Sequence, residues 1–415
     1  MNITPLQLLF GTLVICITLF KLYLNQRQVT SITKYKDQIP AKFAQYLSLA
    51  QHQKAAAYNI AKLKLNELET IFSAIILFIF TLGGGLQLIN NQFTNFSDMP
   101  LSQGVVVITV FSCVNFILSL PFAIYSTFSI EHKFGFNKTT GKLFVLDLIK
   151  NTLLSAIIGI PILYLVLCLM QIMGNYWWLW VFATLSGLNL LMLILYPTII
   201  APLFNKFTPL TDEALRDRIQ QLLHKCGFKT NGIFVMDGSK RSNHGNAYFT
   251  GIGKSKRIVF FDTLINQLTP DEIEAVLAHE LGHFKGKHML KQMLFLFSLS
   301  FIALFVLSTL IKSPLFYNTL GVNSITNQNA LILFMLLLDV VLFPLSPLAS
   351  YLSRKNEFEA DNFAKKYSNK NDLINGLVKL FRESASTLTP DPLYVKYYYS
   401  HPPATIRIAA LQADD

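Results

Sequence analysis

The sequence predicts an all-α polytopic membrane protein: seven transmembrane helices with a small α+β domain on the cytoplasmic face. Three observations predict it. Hydrophobic residues fill 52% of the 415 positions, with 34 Phe, and charged residues only 14%, where a soluble protein of this size carries about 25%. The apolar excess gathers into seven runs, each near the roughly 20 residues that a helix needs to cross a bilayer. The connections between those runs alternate between Lys/Arg-rich and Lys/Arg-free, as the positive-inside rule requires.

The runs lie near 5–24, 70–90, 103–127, 148–173, 176–200, 291–312 and 329–351. The first has neither a basic leader nor a small-residue cleavage site, so it reads as a retained anchor rather than a signal peptide. Its connection to the second carries Arg27, Lys34, Lys36, Lys42, Lys54, Lys62 and Lys64. Lys133, Lys138 and Lys142 follow the third run, and segment 201–290 and the C-terminal tail are also basic. Residues 1–4, 91–102, 174–175 and 313–328 contain no Lys or Arg. The expected topology places the N-terminus outside, and the C-terminus and segment 201–290 in the cytoplasm. Short outside loops and a tail ending Ala413-Asp414-Asp415 without a dilysine signal favour a bacterial inner membrane; in a eukaryote the membrane would be the endoplasmic reticulum.

Four regions follow. Residues 1–200 hold spans one to five with their cytoplasmic loops, and 201–290 and 352–415 are two soluble pieces separated by spans six and seven in 291–351. Neither soluble piece has a large core alone, so the two are expected to pack together at the membrane surface. Asp212–Cys226 has helical periodicity, and Gly232–Met236 and Arg257–Phe261 read as short strands. The net charge of +11 is spread over membrane-flanking loops rather than gathered in a patch, which argues against nucleic acid as a partner. Cys16, Cys113 and Cys168 fall in spans and Cys226 in the first soluble piece, with no disulfide or zinc-knuckle spacing.

The chemistry is concentrated in His279-Glu280-Leu281-Gly282-His283. Thr269-Pro270-Asp271-Glu272 ahead of it predicts a capped helix start. On that helix His279 and His283, four residues apart, leave the same face and can grip one zinc ion, while Glu280 could take a proton from water on the metal. The reaction such a site performs is amide hydrolysis. A third protein ligand is then needed. His288 is rejected because on a continuing helix it would point nearly opposite to His279. Glu357, across two spans, is the better candidate, with Asp361 one turn on to accept the N–H of a ligating histidine. Glu359 would point to the other side, without a role. By spacing alone, Glu357 and Asp361 could equally be an exposed acidic helix start. Asp339, inside span seven, is expected to face a wet cavity or a polar partner, since an ionised carboxylate facing lipid is costly; a protonated Asp bonded to a neighbouring helix is the alternative.

These residues resemble the integral-membrane zinc metalloproteases known as CAAX prenyl protease type 1, from about residue 40 to 410. The motifs that carry the resemblance are Ile130-Glu131-His132-Lys133-Phe134-Gly135-Phe136-Asn137-Lys138-Thr139, Pro202-Leu203-Phe204-Asn205-Lys206-Phe207, Asn246-Ala247-Tyr248-Phe249 and Arg257 to Leu264. To these are added the H-E-x-x-H, the E-x-x-x-D, and Ser400-His401-Pro402-Pro403 with Arg407. The resemblance implies seven long helices around a water-filled intramembrane chamber sealed by one Zn2+ site. It further implies a peptide lying along an edge strand at Asn246, Ala247 and Tyr248, and His401 and Arg407 near the metal, stabilising the oxyanion or holding substrate carbonyls. Taken alone, His401-Pro402 could instead brace the C-terminal helix, and Asn246 could be a turn residue after Gly245.

The expected activity is therefore zinc-dependent endopeptidolysis of membrane-associated peptides or membrane proteins, prenylated at a C-terminal CAAX sequence or not. His279, His283 and Glu357 would hold the metal, Glu280 would be the general base, and Asp361 would orient a histidine. A smaller heat-shock-type membrane metalloprotease is the first rival, disfavoured by seven spans. A metal-containing transporter is the second, disfavoured because neither repeat symmetry nor broken spans with ionisable residues are evident. Nothing in the sequence sets the oligomeric state.

Overall fold

The structure, a computed structural model, describes residues 4–93, 96, 99–251 and 257–413. Among the described residues, six helices are long and apolar enough to cross a membrane: Pro5–Tyr35, Pro100–Glu131, Gly141–Ile172, Gly174–Phe204, His288–Leu310 and Asn327–Tyr367. A seventh candidate is a helix pair, Leu49–Phe80 and Gly85–Phe93, bent by 51°. Between 6% and 22% of the apolar windows of the six helices is buried inside the protein. Outward-facing Leu, Ile and Phe on that scale would aggregate in water, so lipid is their solvent.

One expectation needs correction. Run 70–90 is not one straight span: its helix ends at Phe80, and Gly84 takes φ +75°, a left-handed conformation that glycine adopts without a Cβ clash. The second apolar run is therefore a bent pair of helices rather than one helix. The boundary expected at 351/352 falls inside Asn327–Tyr367, which is interrupted only by the 3-10 turn Phe343–Leu345 at Pro344. At 1.5 Å per residue its 41 residues reach about 60 Å, roughly twice the hydrocarbon thickness. Span seven thus delivers its own C-terminal third into the soluble domain.

Among the spans, a cavity of about 500 Å³ is lined by Glu69, Ser73, Asn115, Ser119 and Asp339 along with apolar residues. Asp339 lines this space and pairs with Lys21 of the first helix at 2.9 Å, so it has a polar partner beside an open cavity.

The two soluble pieces share one hydrophobic core. Its sheet has the order β1 (Phe207–Pro209), β2 (Ile233–Met236), β4 (Arg257–Phe261), β3 (Ala247–Thr250). β1–β2 and β3–β4 are antiparallel and β2–β4 is parallel, with Ala247 opposite Phe260 and Tyr248 opposite Val259. β3 is therefore an edge strand. Helix Glu213–Cys226 begins where Asp212 Oδ1 accepts the Leu215 N–H at 3.0 Å and ends at Gly227, φ +72°.

Sequence motifs without an assigned chemical role prove to be moorings. The backbone N–H of Lys138 donates to Arg241 O, and that of Asn243 to Phe136 O; the Phe136 ring stacks on His244 at 4.7 Å. Arg241 donates to both oxygens of Asp147, to Asn205 Oδ1 and to Phe204 O. The chain that leads into the edge strand is thereby tied to spans three, four and five.

The C-terminal segment is tied to the first helix through Asp391. Its carboxylate caps helix Pro392–Tyr398 by accepting from Leu393 and Tyr394 N–H and takes a forked contact from Arg27. Its own N–H donates to Gln28 Oε1 at 2.7 Å. Burial alone pushes the Asp391 pKa up; the Arg27 guanidinium and the two backbone donors outweigh it and hold it below the usual carboxylate value. A depressed folded-state pKa means stability that is complete above about pH 4 and lost as pH falls through the folded value. Asp391→Ala is expected to lower the thermal midpoint, with about 1 kcal/mol from the lost cap alone. It should also flatten the acid limb of the stability profile, measured by intrinsic fluorescence in detergent.

Candidate metal centre

The motif helix, Pro270–Lys285, begins where the sequence signals it. Thr269 Oγ1 accepts the Glu272 N–H, and Glu272 Oε2 accepts the Thr269 N–H at 2.8 Å. Ile273, Ala275, Leu277, Ala278 and Leu281 are buried, and the helix packs against the C-terminal part of span seven. The approach is close because Gly282 has no side chain: a Cβ there would lie 2.8 Å from Ala360 Cα and 2.9 Å from Ala360 O. Residues 279–283 are thus laid directly against the turn that carries Glu357 and Asp361.

That contact brings His279, His283 and Glu357 together. His279 Nε2 and His283 Nε2 are 3.1 Å apart. Glu357 Oε2 is 3.4 Å from the first and Oε1 is 3.2 Å from the second. A tetrahedral ion with bonds near 2.05 Å spaces its donors about 3.3 Å apart, so the donor set fits a metal. The electrostatics agree. Glu357 is 3% exposed, and its Oε2 receives no aligned hydrogen bond, although His401 Nδ1 and Arg407 Nη1 stand 3.0 and 3.2 Å away. Two imidazole nitrogens and a buried carboxylate facing one point form a donor set that a shared cation would satisfy.

Around these donors is a buried ring of charge. Asp361 Oδ1 lies 2.9 Å from His279 Nδ1, the pairing that turns the other ring nitrogen toward the metal. Arg407, 4% exposed, donates Nε and Nη2 to the two Asp361 oxygens at 2.6 and 2.7 Å. Burial opposes its charge, but Asp361 and Glu357 more than restore it, and its pKa is held above the ordinary value. For His279, burial and Arg407 press the pKa down while the Asp361 and Glu357 carboxylates press it up harder, and the net direction is upward.

The remaining expected site residues fall in three places. Glu280 is partly exposed beside the histidines. His401, 63% exposed in its side chain, leans on Glu357 at the open side. Arg407 is buried beside the candidate ligands, its Nε and Nη2 on Asp361 and its Nη1 3.2 Å from Glu357 Oε2. Asn246 immediately precedes β3, and its carbonyl accepts the Phe261 N–H at 2.9 Å. Ala247 and Tyr248 open the edge strand, and burial pushes the Tyr248 hydroxyl up to about 12. Phe249 and Phe284 in edge-to-face contact at 4.9 Å hold this strand against the motif helix.

His288 and Glu359 also need correction. The motif helix does not continue: it ends at Lys285, Lys287 takes φ +53°, and a new helix starts at His288. This break turns His288 back toward the centre, where its Nδ1 lies 2.9 Å from His283 Nδ1 and its Nε2 3.0 Å from Glu359 Oε2. The signal available in the sequence was Gly286, a helix stop directly after Lys285.

Comparison with known proteins agrees with this architecture. Residues 28–206 match the description "CAAX prenyl protease N-terminal, five membrane helices", and residues 209–415 match "Peptidase family M48". The chain is 36% identical over 409 residues to the CAAX prenyl protease 1 homolog of Arabidopsis thaliana, covering 96% of this chain and 95% of that one. It is 39% identical over 329 residues to CAAX prenyl protease 1 of Saccharomyces cerevisiae, covering 75% and 72%. The crystal structure of S. mikatae Ste24p superposes with a TM-score of 0.92 at 34% identity, covering 99% of this chain and all of that one. Membership of M48 carries a metal cofactor with it, which the donor set suits. The chain belongs to peptidase family M48, as a membrane metalloprotease of the CAAX prenyl protease 1 kind.

Proposed function

We propose that this metalloprotease is a zinc endopeptidase acting at the cytoplasmic membrane face on membrane-associated peptides that carry a prenylated C-terminal CAAX sequence. The observation that carries the reading is the convergence of His279 Nε2, His283 Nε2 and the Glu357 carboxylate within tetrahedral spacing. Zinc held there supplies Lewis acidity, polarising a peptide carbonyl and making water acidic enough to lose a proton near neutral pH.

The protein's own residues do the rest. Asp361 takes the Nδ1–H of His279 and so leaves Nε2 free, while Arg407 balances the charge of Asp361 and Glu357. Glu280 accepts the proton of the attacking water and returns it to the leaving amine nitrogen. The edge of β3 pairs with the substrate backbone from Asn246 to Tyr248, which sets the scissile carbonyl in register. His401, exposed and next to the ligand carboxylate, donates to the developing oxyanion. The prenylated substrate class comes from the names of the relatives; the cytoplasmic orientation is supported by the basic connections 25–69, 128–147 and 201–290. The same charge pattern suits a bacterial inner membrane or an endoplasmic reticulum membrane.

The test uses purified full-length protein in detergent with matched prenylated and unprenylated peptides. Cleavage should stop with a strong chelator, return with stoichiometric zinc, and favour the prenylated peptide by tenfold or more in kcat/KM, roughly the effect of one well-buried apolar contact. Chelator-resistant cleavage would refute the metal role. Equal cleavage of both peptides would confine the substrate to membrane peptides in general.

A further inference from the structure

Building on the zinc reading above, we infer that His288 is a positioning residue for His283. With Glu359 it forms a carboxylate–imidazole–imidazole chain ending at the metal-facing nitrogen.

The two ligating histidines are held differently. His279 has a carboxylate, Asp361, on its Nδ1. On its own Nδ1, His283 has another histidine, His288, at 2.9 Å. Two like nitrogens bond only when one carries a proton and the other does not. His283 presents Nε2 to His279 and Glu357, so Nε2 must be bare to ligate, and Nδ1–H becomes the donor. His288 must then accept on Nδ1 and carry its proton on Nε2. Glu359 Oε2, at 3.0 Å from that Nε2, is the acceptor this tautomer requires. Lys291 Nζ stands 3.5 Å from the same oxygen and favours its ionised, accepting form. One arrangement of protons satisfies every bond in the chain, and no other arrangement leaves His283 able to bind metal.

The backbone is shaped to this end. Nine residues of continuous helix would turn His288 about 180° from His279. Instead Lys287 occupies the left-handed region at φ +53°, a conformation that a residue with a Cβ rarely adopts. Gly286 is equally specific: a Cβ there would lie 2.3 Å from His288 Nε2 and 2.8 Å from Cδ2. The pair of residues exists in the form that lets the ring fold under the site. His288 is itself 5% exposed, and a buried imidazole needs partners on both nitrogens. His283, with 27% of its side chain exposed against 7% for His279, is the ligand with more freedom to rotate. One short segment therefore supplies everything for the metal side of span seven: Glu357 as ligand, Asp361 for His279, and Glu359, through His288, for His283.

Zinc affinity by chelator competition, backed by the visible spectrum of the Co2+-loaded protein, tests this on the full chain. His288→Phe keeps the ring shape without nitrogens. It should weaken zinc about 10–100-fold, alter the cobalt spectrum, and lower kcat at saturating zinc with peptide KM unchanged. His288→Asn places an amide oxygen near the Nδ1 position and should recover most of the affinity, which a merely space-filling role would not predict. Glu359→Ala, at a side chain 42% exposed, should weaken zinc by a smaller factor without threatening the fold. A folded His288→Phe protein with zinc affinity within about twofold of the parent overturns the inference, as does His288→Asn performing no better than His288→Phe. Should His288→Phe fail to fold, unchanged affinity in Glu359→Ala overturns it. A parent that binds no zinc would sink the metal reading as well, whereas a parent that binds and variants that are unaffected sink only the role of His288.

Discussion

Glu280→Gln should bind zinc as the parent does and hydrolyse peptide about 10²–10⁴-fold more slowly, the range that general acid–base catalysis contributes. Three features set that expectation. Glu280 is not among the three donors that converge, so its replacement leaves the metal's protein ligands intact. It is partly exposed, so an isosteric amide costs little stability. A glutamine oxygen still accepts a hydrogen bond and can hold a water, but its amide cannot take up a proton at neutral pH. The loss should therefore fall on kcat, with KM for the peptide and metal content per chain close to the parent values. Steady-state cleavage alongside elemental analysis checks both halves. Near-parental turnover in the metal-loaded variant would remove Glu280 from the mechanism, and loss of metal would recast it as part of the coordination shell.

Gly282→Ala should release the metal and destabilise the domain, against the direction that helix propensity alone predicts. Alanine is favoured over glycine in a helix interior by about 1 kcal/mol. Opposing this, the new Cβ would meet backbone, 2.8 Å from Ala360 Cα and 2.9 Å from Ala360 O, and neither atom can rotate away. Ordinary contact near 3.5 Å requires the two helices to part by about 0.7 Å, and overpacking of this kind costs about 1–3 kcal/mol. The clash wins in energy, and it wins more clearly in function. The same separation pulls Glu357 from His279 and His283, whose donors now stand 3.2–3.4 Å apart. Zinc affinity should drop at least tenfold and the thermal midpoint of the zinc-loaded protein should fall with it. A more stable Gly282→Ala protein with parental affinity would show that the helices can slide without disturbing the site.

Much of this molecule was legible along the chain. The H-E-x-x-H helix starts at its Thr269 cap, and its two histidines share a face because a helix repeats every 3.6 residues. The helix at Asp212 and the strands at Ile233 and Arg257 lie where periodicity and turn residues place them. Six of the seven apolar runs lie, to within two residues, inside single candidate spans. The exception, 70–90, contains Gly83-Gly84-Gly85, a breaker signal that its uninterrupted hydropathy outweighed.

What stayed hidden depended on a direction in space. Arg407, 4% exposed, turns its guanidinium onto Asp361, 46 residues earlier, a partner that spacing along the chain does not name. His288 looked misdirected only while the helix was taken to continue through Gly286 and Lys287. Glu359 looked idle only while His288 was on the wrong side.

The sequence by itself determined which groups are chemically competent, where the chain crosses the membrane, and which residues share a helical face. Those properties are local, set by hydropathy over some 20 residues and by i to i+4 geometry. The tertiary structure alone decided which competent groups meet: Gly282 against Ala360, His288 against His283, Arg407 behind Asp361. The reason is physical. A hydrogen bond or a metal bond needs two partners within about 3 Å and correctly aimed, and for these residues, 5 to 128 positions apart, that aim is set by helix packing and a single left-handed residue.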